Sequence, residues 1–379
     1  MLLSYLNRMK HRLQFTGWLQ YIPTAIITLI FFTVAALVRL FGNARVANLF
    51  IFVAAFLLLN LIFDLLTVKF HLHPREHLLK RNDDLDIFDL MRARRSCRSF
   101  QARKLTDANQ KELMEYVHLY SDAPLIGNAP IRFEYIAAPL TVWPVVGAAE
   151  FLVAIAPSEY NRLAVIDVGR SLQKIVIAAT RMGLATCWIG PGADQSSIMR
   201  HLGDRFNPKE DHIICVCAVG YKSWYKPLFL RVIQGLQRRR LPLSELFFAD
   251  SYLKEPLNVE APPFKRFGRN YEVCQWSPSS FNGQPTRCVA IMVQNGMKKN
   301  KGARNEDEPC LARFDFYAAT KSRYYAPVAL GIWCANWEMG CEALGIYGHF
   351  DALSAQQRNV YGDKISSQLP RYDVSWVLG

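Results

Sequence analysis

Two long apolar runs near the start of the chain constrain its folding more than any other feature. They are LQFTGWLQYIPTAIITLIFFTVAALV, between Arg12 and Arg39, and VANLFIFVAAFLLLNLIF, between Arg45 and Asp64. Each is close to the roughly 20 residues that an α-helix needs to cross a bilayer. We therefore predict a hairpin of two transmembrane helices, at about 16–38 and 46–68, within an anchor region that covers residues 1–80.

The residues around these runs predict the orientation of the hairpin. The connection RLFGNAR is short enough for a tight turn, and Trp18 and Tyr21 fit an interfacial aromatic belt. The connection carries Arg39 and Arg45, whereas the outer flanks carry Arg8, Lys10, Arg12, Lys69, Arg75, Lys80 and Arg81. By the positive-inside rule, both ends and the large C-terminal region face the cytoplasm. The alternative is a buried helical hairpin of a soluble protein.

The net charge of the chain limits its possible binding partners but does not select one. The formal net charge of +13 predicts an anionic partner, and a nucleic acid, an anionic membrane or a phosphorylated cofactor would each suit. No aromatic-basic motif supports nucleic-acid binding.

The nine cysteines include no C-x-x-C pair, so we expect reduced thiols, with Cys215 and Cys217 facing a core from one strand. We expect no metal site at His71, His73 and His77, because no cysteine or acidic cluster completes the ligand set.

From Asp86 onward, helical and strand-like patterns alternate, and the alternation occurs twice. This predicts an α+β or α/β fold. The segment YSDAPLIGNAPIRFEYIAA aligns with QWSPSSFNGQPTRCVAIMV at an offset of 155 residues, which matches Pro130 to Pro285 and Arg132 to Arg287. We predict an internal duplication. A chance match between two similar supersecondary units is the alternative.

A second alignment extends the repeat. At an offset of 157 residues, IVIAATRMGLATCWIG aligns with IWCANWEMGCEALGIY, so that Met182-Gly183 matches Met339-Gly340. Both segments have the pattern of a helix, a glycine turn and a strand.

Four segments resemble motifs of the nitroreductase family, in the right order. RARRSCRSF (92–100) is similar to the family's arginine-serine signature, and SPSSFNGQPTR (277–287) to its Pro-Ser-Ser-x-Asn-x-Gln-Pro segment. DVGRSLQKIVIAATRMGLATCWIGPGAD (167–194) resembles the central helix and the glycine-rich turn beside the flavin, and RRRLPLSEL (238–246) resembles the basic C-terminal segment. The resemblance covers about 86–379 and implies a nitroreductase-like α+β fold.

In that family the flavin site lies at the interface of a homodimer, and each half of this chain lacks a part that the other keeps. The first half reads APLIGNAP where the second reads PSSFNGQP, and the second half opens with PPFKRFGRN, without an arginine-serine signature. The resemblance therefore implies two fused halves, 86–250 and 251–379, that form an intrachain pseudo-dimer with one flavin site. No further oligomer is required for that site.

The residues of these motifs suit a flavin mononucleotide (FMN). Arginine and serine offer donors for the phosphate dianion, amides and hydroxyls suit the edge of the isoalloxazine ring, and glycine permits close approach to its face. The expected cofactor-binding residues are Arg94, Arg95, Ser96, Arg98, Ile189, Gly190, Pro191, Gly192, Arg238, Arg240, Pro278, Ser279, Ser280, Asn282 and Gln284. Pro191 departs from the family pattern because it has no N–H for the flavin N5, which leaves Gly190 or Gly192 for that contact. The alternatives for these segments are a solvated helix face, a basic run attracted to lipid and an ordinary turn-rich loop.

The resemblance implies a flavin-dependent oxidoreductase anchored in the inner (cytoplasmic) membrane. NADH or NADPH would reduce FMN, and a nitroaromatic, quinone or enone acceptor would then take the electrons by a ping-pong mechanism. No catalytic side chain is predicted, since the flavin N5 carries the hydride. The membrane hairpin makes a lipid-soluble acceptor attractive. The alternative is a non-catalytic flavin-binding or scaffold protein at the membrane.

Overall fold

The computed structural model describes residues 18–140, 142–190, 192–236, 239–250, 253–293, 310–358 and 369–379. Helix α1 (Ile22–Leu40) and helix α2 (Ala44–Asp64) form the N-terminal hairpin, and α2 continues into a π-helical turn, Leu65–Lys69. Helix α1 begins later than predicted, because residues 18–21 form a turn and Pro23 sits in the first helical turn. Gly42, with φ +83°, makes the tight connection.

Both hairpin helices are long and apolar enough to cross a bilayer. Their most apolar windows have mean hydropathies of 2.0 and 2.6, and only 17% and 11% of these windows is buried inside the molecule. The buried side chains of α1 and α2 are mainly small ones, including Ala35, Ala47 and Ala54, so the helices pack closely on each other and expose their large side chains. A buried hairpin of a soluble fold would show the opposite distribution.

The region after the hairpin contains two sheets, one antiparallel and one mixed, each with a central helix. The first sheet has strand order β1-β2-β4-β3, from β1 (Arg132–Ile136), β2 (Glu150–Pro157), β3 (Ala185–Ile189) and β4 (Asp211–Gly220). Its helices are α3 (Ile87–Ala93), α4 (Asp107–Ser121), the central helix α5 (Arg162–Arg181) and α6 (Gln195–Leu202). Cys215 and Cys217 both face the core between this sheet and α5, as predicted.

The second sheet has strand order β5-β6-β7-β9-β8, with β5 parallel to β6 and the other pairs antiparallel. Its strands are β5 (Phe247–Phe248), β6 (Thr286–Val293), β7 (Cys310–Ala318), β8 (Gly348–Asp351) and β9 (Arg371–Leu378). Helix α7 (Leu228–Leu236) precedes it, and α8 (Arg269–Gln275) and the central helix α9 (Tyr325–Ala343) complete it. Because β5 pairs with β6, the chain enters the second sheet before the predicted boundary at residue 250.

The two sheets share one topology. In β1–β4 and again in β6–β9, the strands lie in the order first, second, fourth, third, and the central helix follows the second strand. Arg132 pairs with Ile155, and Arg287 pairs with Tyr317. The register shifts directly before Ile155 in one sheet and directly before Tyr317 in the other. Strand register thus confirms the predicted match of Arg132 to Arg287, and the second strands correspond at an offset of 162 residues.

The central helices α5 and α9 cross at two glycines. A Cβ on Gly169 would lie 2.4 Å from the Val328 carbonyl oxygen, and a Cβ on Gly331 would lie 1.9 Å from the Ile166 carbonyl oxygen. No side chain fits at such distances, so the close crossing depends on glycine at both positions. The two contacts are reciprocal at the same offset of 162 residues, as in a contact across a two-fold axis.

The predicted match of Met182-Gly183 to Met339-Gly340 is wrong. Gly340 lies inside α9, where its missing Cβ makes room for the Asn270 side chain. The residue that ends α9 as Gly183 ends α5 is Gly345, since both glycines have a left-handed φ, +74° and +66°. The offset between these two glycines is again 162 residues, whereas Met182-Gly183 lies just past the end of α5 and Met339-Gly340 lies inside α9.

Candidate functional site

The arginine-serine segment lies alongside β3. Helix α3 ends at Ala93, and the chain then extends so that Cys97 donates its N–H to the Thr186 carbonyl at 2.8 Å. Cys97 turns into a buried apolar cluster beneath the sheet, whereas Arg95 and Ser96 are exposed and Arg98 is half-buried. Pairing with β3 therefore fixes the backbone from which this segment presents its cations.

Several guanidinium groups gather around one indole ring. Arg92, Arg95 and Arg240 lie 4.0, 5.8 and 5.3 Å from the centre of the Trp276 ring. Trp276 directly precedes the Pro-Ser-Ser segment, so the ring joins the first-half arginines to the second-half loop. Stacking on an indole partly compensates guanidinium groups for lost water.

The cluster is short of negative charge. Arg94 is 6% exposed, and burial, with Arg240 and Arg95 nearby, lowers its pKa to about 10. Burial and the neighbouring Arg95 and Arg92 likewise lower the pKa of Arg240 to about 10. At the edge of the cluster, Arg92 Nε forms an ion pair with Glu272 Oε1 at 3.1 Å. These cations are therefore held together against their mutual repulsion.

Three buried nitrogens of the cluster have no hydrogen-bond partner within the described part of the chain. They are Arg92 Nη1, Arg94 Nη1 and Arg240 Nε. A buried donor without an acceptor is costly, and a phosphate dianion would satisfy such donors with charge-assisted hydrogen bonds. The donor set thus fits the phosphate of FMN.

The Pro-Ser-Ser loop, Pro278–Gln284, is fastened to the segment that carries Arg240. Arg240 Nη1 donates to Asn282 Oδ1 at 2.7 Å, Leu241 N donates to Gln284 Oε1 at 2.9 Å, and Asn282 Nδ2 donates to the Arg239 carbonyl at 2.7 Å. Within the loop, Gln284 N donates to Ser279 Oγ at 2.9 Å. The amides of Asn282 and Gln284 therefore shape the loop, and their expected contacts with a flavin ring remain a prediction.

The loop backbone is strained. Phe281, Asn282 and Gln284 have φ values of +52°, +56° and +44°, in the left-handed region that residues other than glycine avoid. Phe281 lies on a short 3₁₀ turn that also contains Ser280, and its ring is 75% exposed. Strained residues of this kind occur where a function requires the geometry.

The glycine turn after β3 lies close to the same loop. The Tyr325 ring is 3.3 Å from where a Cβ on Gly190 would be, and it meets the Phe281 ring edge to face at 6.4 Å. Gly192 is buried, and the Trp143 carbonyl approaches to within 1.8 Å of its missing Cβ. Gly192 is therefore needed for the Trp143 contact, whereas Gly190 is exposed and faces the tyrosine.

The structure thus brings most of the expected residues together. Arg94 and Arg240 meet in the cationic cluster, and Asn282 and Gln284 hold the loop beside it. Ile189 is buried at the end of β3 directly before Gly190. Pro191 and Arg238 lie outside the described residues. A small cleft behind the loop is lined by Pro278, Ser279 and Gln284, and on the α9 side by Ala329 and Trp333.

Sequence reasoning missed Trp276, Tyr325 and Gln234. Gln234 of α7 donates to the Ser96 carbonyl at 3.2 Å. Trp276 directly precedes the Pro-Ser-Ser motif, which was an available signal, and Tyr325 is the second residue of the Tyr324-Tyr325 pair, at the start of α9.

The comparisons with known proteins agree on one family. A family model described as "Putative TM nitroreductase" matches residues 86–298, which is more than half of the chain. The structure of a "putative nitroreductase" from Thermotoga maritima is similar at 15% identity, with 81% of this chain and 97% of that chain covered and a TM-score of 0.43. A nitroreductase with bound FMN from Bacteroides fragilis is 16% identical, covering 37% of this chain and 89% of its own, with a TM-score of 0.30. No curated protein matches the chain.

Proposed function

The chain belongs to the nitroreductase family and has that family's α+β fold, and on this basis we propose that it is an FMN-dependent oxidoreductase attached to a membrane. The observation that carries the proposal is the cationic cluster around Trp276. Its buried, unpartnered guanidinium nitrogens would be satisfied by an anion, and Arg240 also donates to Asn282 of the Pro-Ser-Ser loop.

Each group has a role in holding FMN. Arg94 and Arg240, with Arg95, Ser96 and Arg98 on the same segment, would bind the phosphate. The loop Pro278–Gln284 would lie against the ring edge, and Gly190 would allow close approach to the ring face. Bound FMN supplies the redox chemistry, taking electrons from NADH or NADPH and passing them to an acceptor. The exposed rings of Phe281 and Tyr325 would then limit which acceptors reach the site. A nitroaromatic, a quinone or an enone would suit it, and the membrane hairpin favours a lipid-soluble acceptor.

We infer that the two sheets arose by duplication and imitate a dimer. The shared strand order, the common bulge and the reciprocal glycine contacts support this inference. One site would remain, built from the arginines of the first half and the loop of the second.

We propose that α1 and α2 cross the cytoplasmic membrane and leave the rest of the chain in the cytoplasm. Their length, their hydropathy and the excess of basic residues on the outer flanks support this orientation. A reporter fused after Gly379 should be active only in its cytoplasmic form. Activity of a reporter that works only outside the membrane would contradict the orientation.

The decisive experiment for the enzyme is made on purified full-length protein in detergent. We expect a yellow protein that releases one FMN per chain and bleaches anaerobically with NADH or NADPH, followed by recovery of the colour with an acceptor panel of nitroaromatics, quinones and enones. Two FMN per chain would refute the single composite site. Bound flavin that never bleaches would favour the alternative, a non-catalytic flavin-binding or scaffold protein.

A further inference from the structure

One surface beside the hairpin contributes to the proposed site only through Gln234, which donates to the Ser96 carbonyl. It is formed by α7 and the turn that precedes it, residues 222–236, which we term the α7 segment. Leu228–Leu236 reads LFLRVIQGL, so its apolar residues follow the spacing of one helix face, as in helices that lie at an interface.

The α7 segment is fastened to the cytoplasmic end of the hairpin. Asp64, the last residue of α2, is buried, and its Oδ2 accepts the backbone N–H of Leu228 at 2.7 Å, which caps the start of α7. Arg231 approaches the other oxygen of this carboxylate at 3.8 Å. A buried carboxylate at the end of a membrane-crossing helix thus fixes where α7 begins.

The turn that precedes α7 is held by contacts with Glu76, His73 and Phe63. Glu76 accepts hydrogen bonds from Ser223 Oγ at 2.8 Å and from Trp224 N at 2.6 Å. The Tyr225 ring stacks on His73 with ring centres 4.3 Å apart and lies 6.1 Å from Phe63 of α2. The α7 segment is therefore held beside the residues where the hairpin leaves its apolar run.

The outer side of this assembly is apolar with a basic rim. Trp224 is 71% exposed and Val232 is 54% exposed, and Phe70 and Leu72, next to the hairpin end, are exposed as well. Lys222 lies 5.3 Å from the Trp224 ring, and Arg231 is half exposed on α7. Exposed tryptophan beside lysine and arginine is the composition of a surface that meets anionic headgroups.

We propose that the α7 segment is an interfacial helix that docks on the anionic headgroup layer of the membrane crossed by α1 and α2. The occupant is lipid, because the surface is continuous with the two apolar helices and its rim is basic. The proposal rests on the proposed membrane attachment of the hairpin. It goes beyond attachment, because a hairpin alone would leave the soluble region free to tilt, whereas α7 contacts both α2 and the Ser96 segment and would hold the site near the membrane surface.

The test uses a fluorescent label and the full chain in nanodiscs that hold one copy each. Eight of the nine cysteines are buried and Cys310 is exposed, so Cys310→Ser gives a background for selective labelling. Bimane is placed at Val232→Cys, and its emission is compared in phosphatidylglycerol nanodiscs with and without lipids that carry a shallow spin label. We expect emission to fall at least about twofold with the spin label, as for a helix buried in the headgroup boundary.

Labels at two control positions distinguish a failure of α7 to dock from a failure of the hairpin to cross the membrane. Phe52→Cys lies in the exposed middle of α2 and should be quenched by a deep spin label, whether or not α7 docks. Glu210→Cys is exposed at the start of β4, whose ten residues span about 30 Å before the chain reaches the α7 segment, and should not be quenched.

Quenching at position 52 without quenching at 232 would overturn docking while leaving the attachment intact. Absence of quenching at 52 would overturn the attachment itself and docking with it. Equal quenching at 232 in phosphatidylglycerol and in phosphatidylcholine would overturn the commitment to anionic lipid.

Discussion

The two loops that precede β1 and β6 occupy corresponding places in the two sheets, yet one is closed and the other open. In the first, Ile126 N and Gly127 N donate to the two carboxylate oxygens of Asp167 at 2.9 and 2.8 Å, and Ile126 packs on the core of the second sheet. In the second, the residue that corresponds to Ile126 is Phe281, which is exposed on a strained backbone.

The residue beneath each loop accounts for much of the difference. Asp167 is fully buried in α5, and its counterpart in α9 is Ala329, which lines the cleft behind the second loop. Leu163, which touches Gly127, corresponds to Tyr325, which faces Gly190. In two sheets of the same topology, a few differences beneath the loop thus leave one loop tied to its central helix and the other exposed on a strained backbone.

The largest effect is expected from substitutions at the close crossing of α5 and α9, which joins the two halves. Gly331→Ala would put a Cβ 1.9 Å from the Ile166 carbonyl oxygen, so we expect a loss of about 3 kcal/mol of stability, or roughly 4–5 °C in Tm. Gly169→Ala should behave similarly. Thermal unfolding in detergent measures both. Gly235→Ala in α7, where nothing lies within 4 Å of the new Cβ, is the control and should be neutral or stabilising. If Gly331→Ala matches this control, the helices do not cross closely.

The next test compares arginines of the two halves. Arg94→Ala should weaken FMN binding by about 10- to 100-fold, because a charge-assisted hydrogen bond is worth about 1.5–3 kcal/mol. Arg266→Ala, at an exposed arginine of the segment that opens the second half, should leave FMN affinity unchanged. Fluorescence titration of FMN-free protein measures both. Arg94→Ala should not lower the stability of the FMN-free protein, because it removes a buried cation that Arg240 repels; equal affinity in the two variants would remove Arg94 from the site.

A smaller effect is expected from the open loop itself. Asn282→Ala removes the acceptor of Arg240 and a tie to Arg239, and it should weaken FMN binding about fivefold, for a net loss of about 1 kcal/mol. Asn128→Ala, at an exposed position of the closed loop, is the matched variant and should have no effect. If both asparagines behave alike in the same titration, the open loop has no special part in binding.

The smallest effect concerns the carboxylate under the closed loop. Burial raises the pKa of Asp167, although the N–H groups of Ile126 and Gly127 oppose this. The native chain then binds the proton more tightly than the unfolded one, so this group's contribution to stability falls as pH rises from about 4 to the raised pKa and is constant above it. Asp167→Asn should abolish this slope, which urea unfolding of both proteins across that interval would measure. If the stability of the unsubstituted protein minus that of Asp167→Asn rises with pH in this interval, the pKa of Asp167 is not raised in the native chain.

The sequence predicted the elements that depend on local pattern and missed those that depend on contact between distant segments. The alternation of helical and strand-like patterns after Asp86 predicted the α+β architecture, and the match of Arg132 to Arg287 agrees with strand register. The Met-Gly alignment failed because Gly183 is the left-handed glycine after α5, whereas Gly340 lies inside α9 and the left-handed glycine after α9 is Gly345.

In the candidate site too, local motifs could be predicted from the sequence, whereas contacts between distant segments could not. Its arginines and its loop could be found from motifs, because the chemistry needs those residue types in short runs. Tyr325 and Trp276 could not, since each matters only through neighbours far away in the chain, namely Gly190 and Phe281 for the first and Arg92 and Arg240 for the second.

The crossing of α5 and α9 joins two halves of one chain, so dilution does not separate them. Two separate subunits packed through such helices would part on dilution, and a site built from both would be lost with them. Here one continuous chain carries both helices, so the crossing is unimolecular and the partner half is present at an effective concentration that does not depend on expression level. The proposed site would therefore stay complete at a low expression level, and a substitution in one half would appear once in the assembly, free of the two-fold repetition that a homodimer imposes.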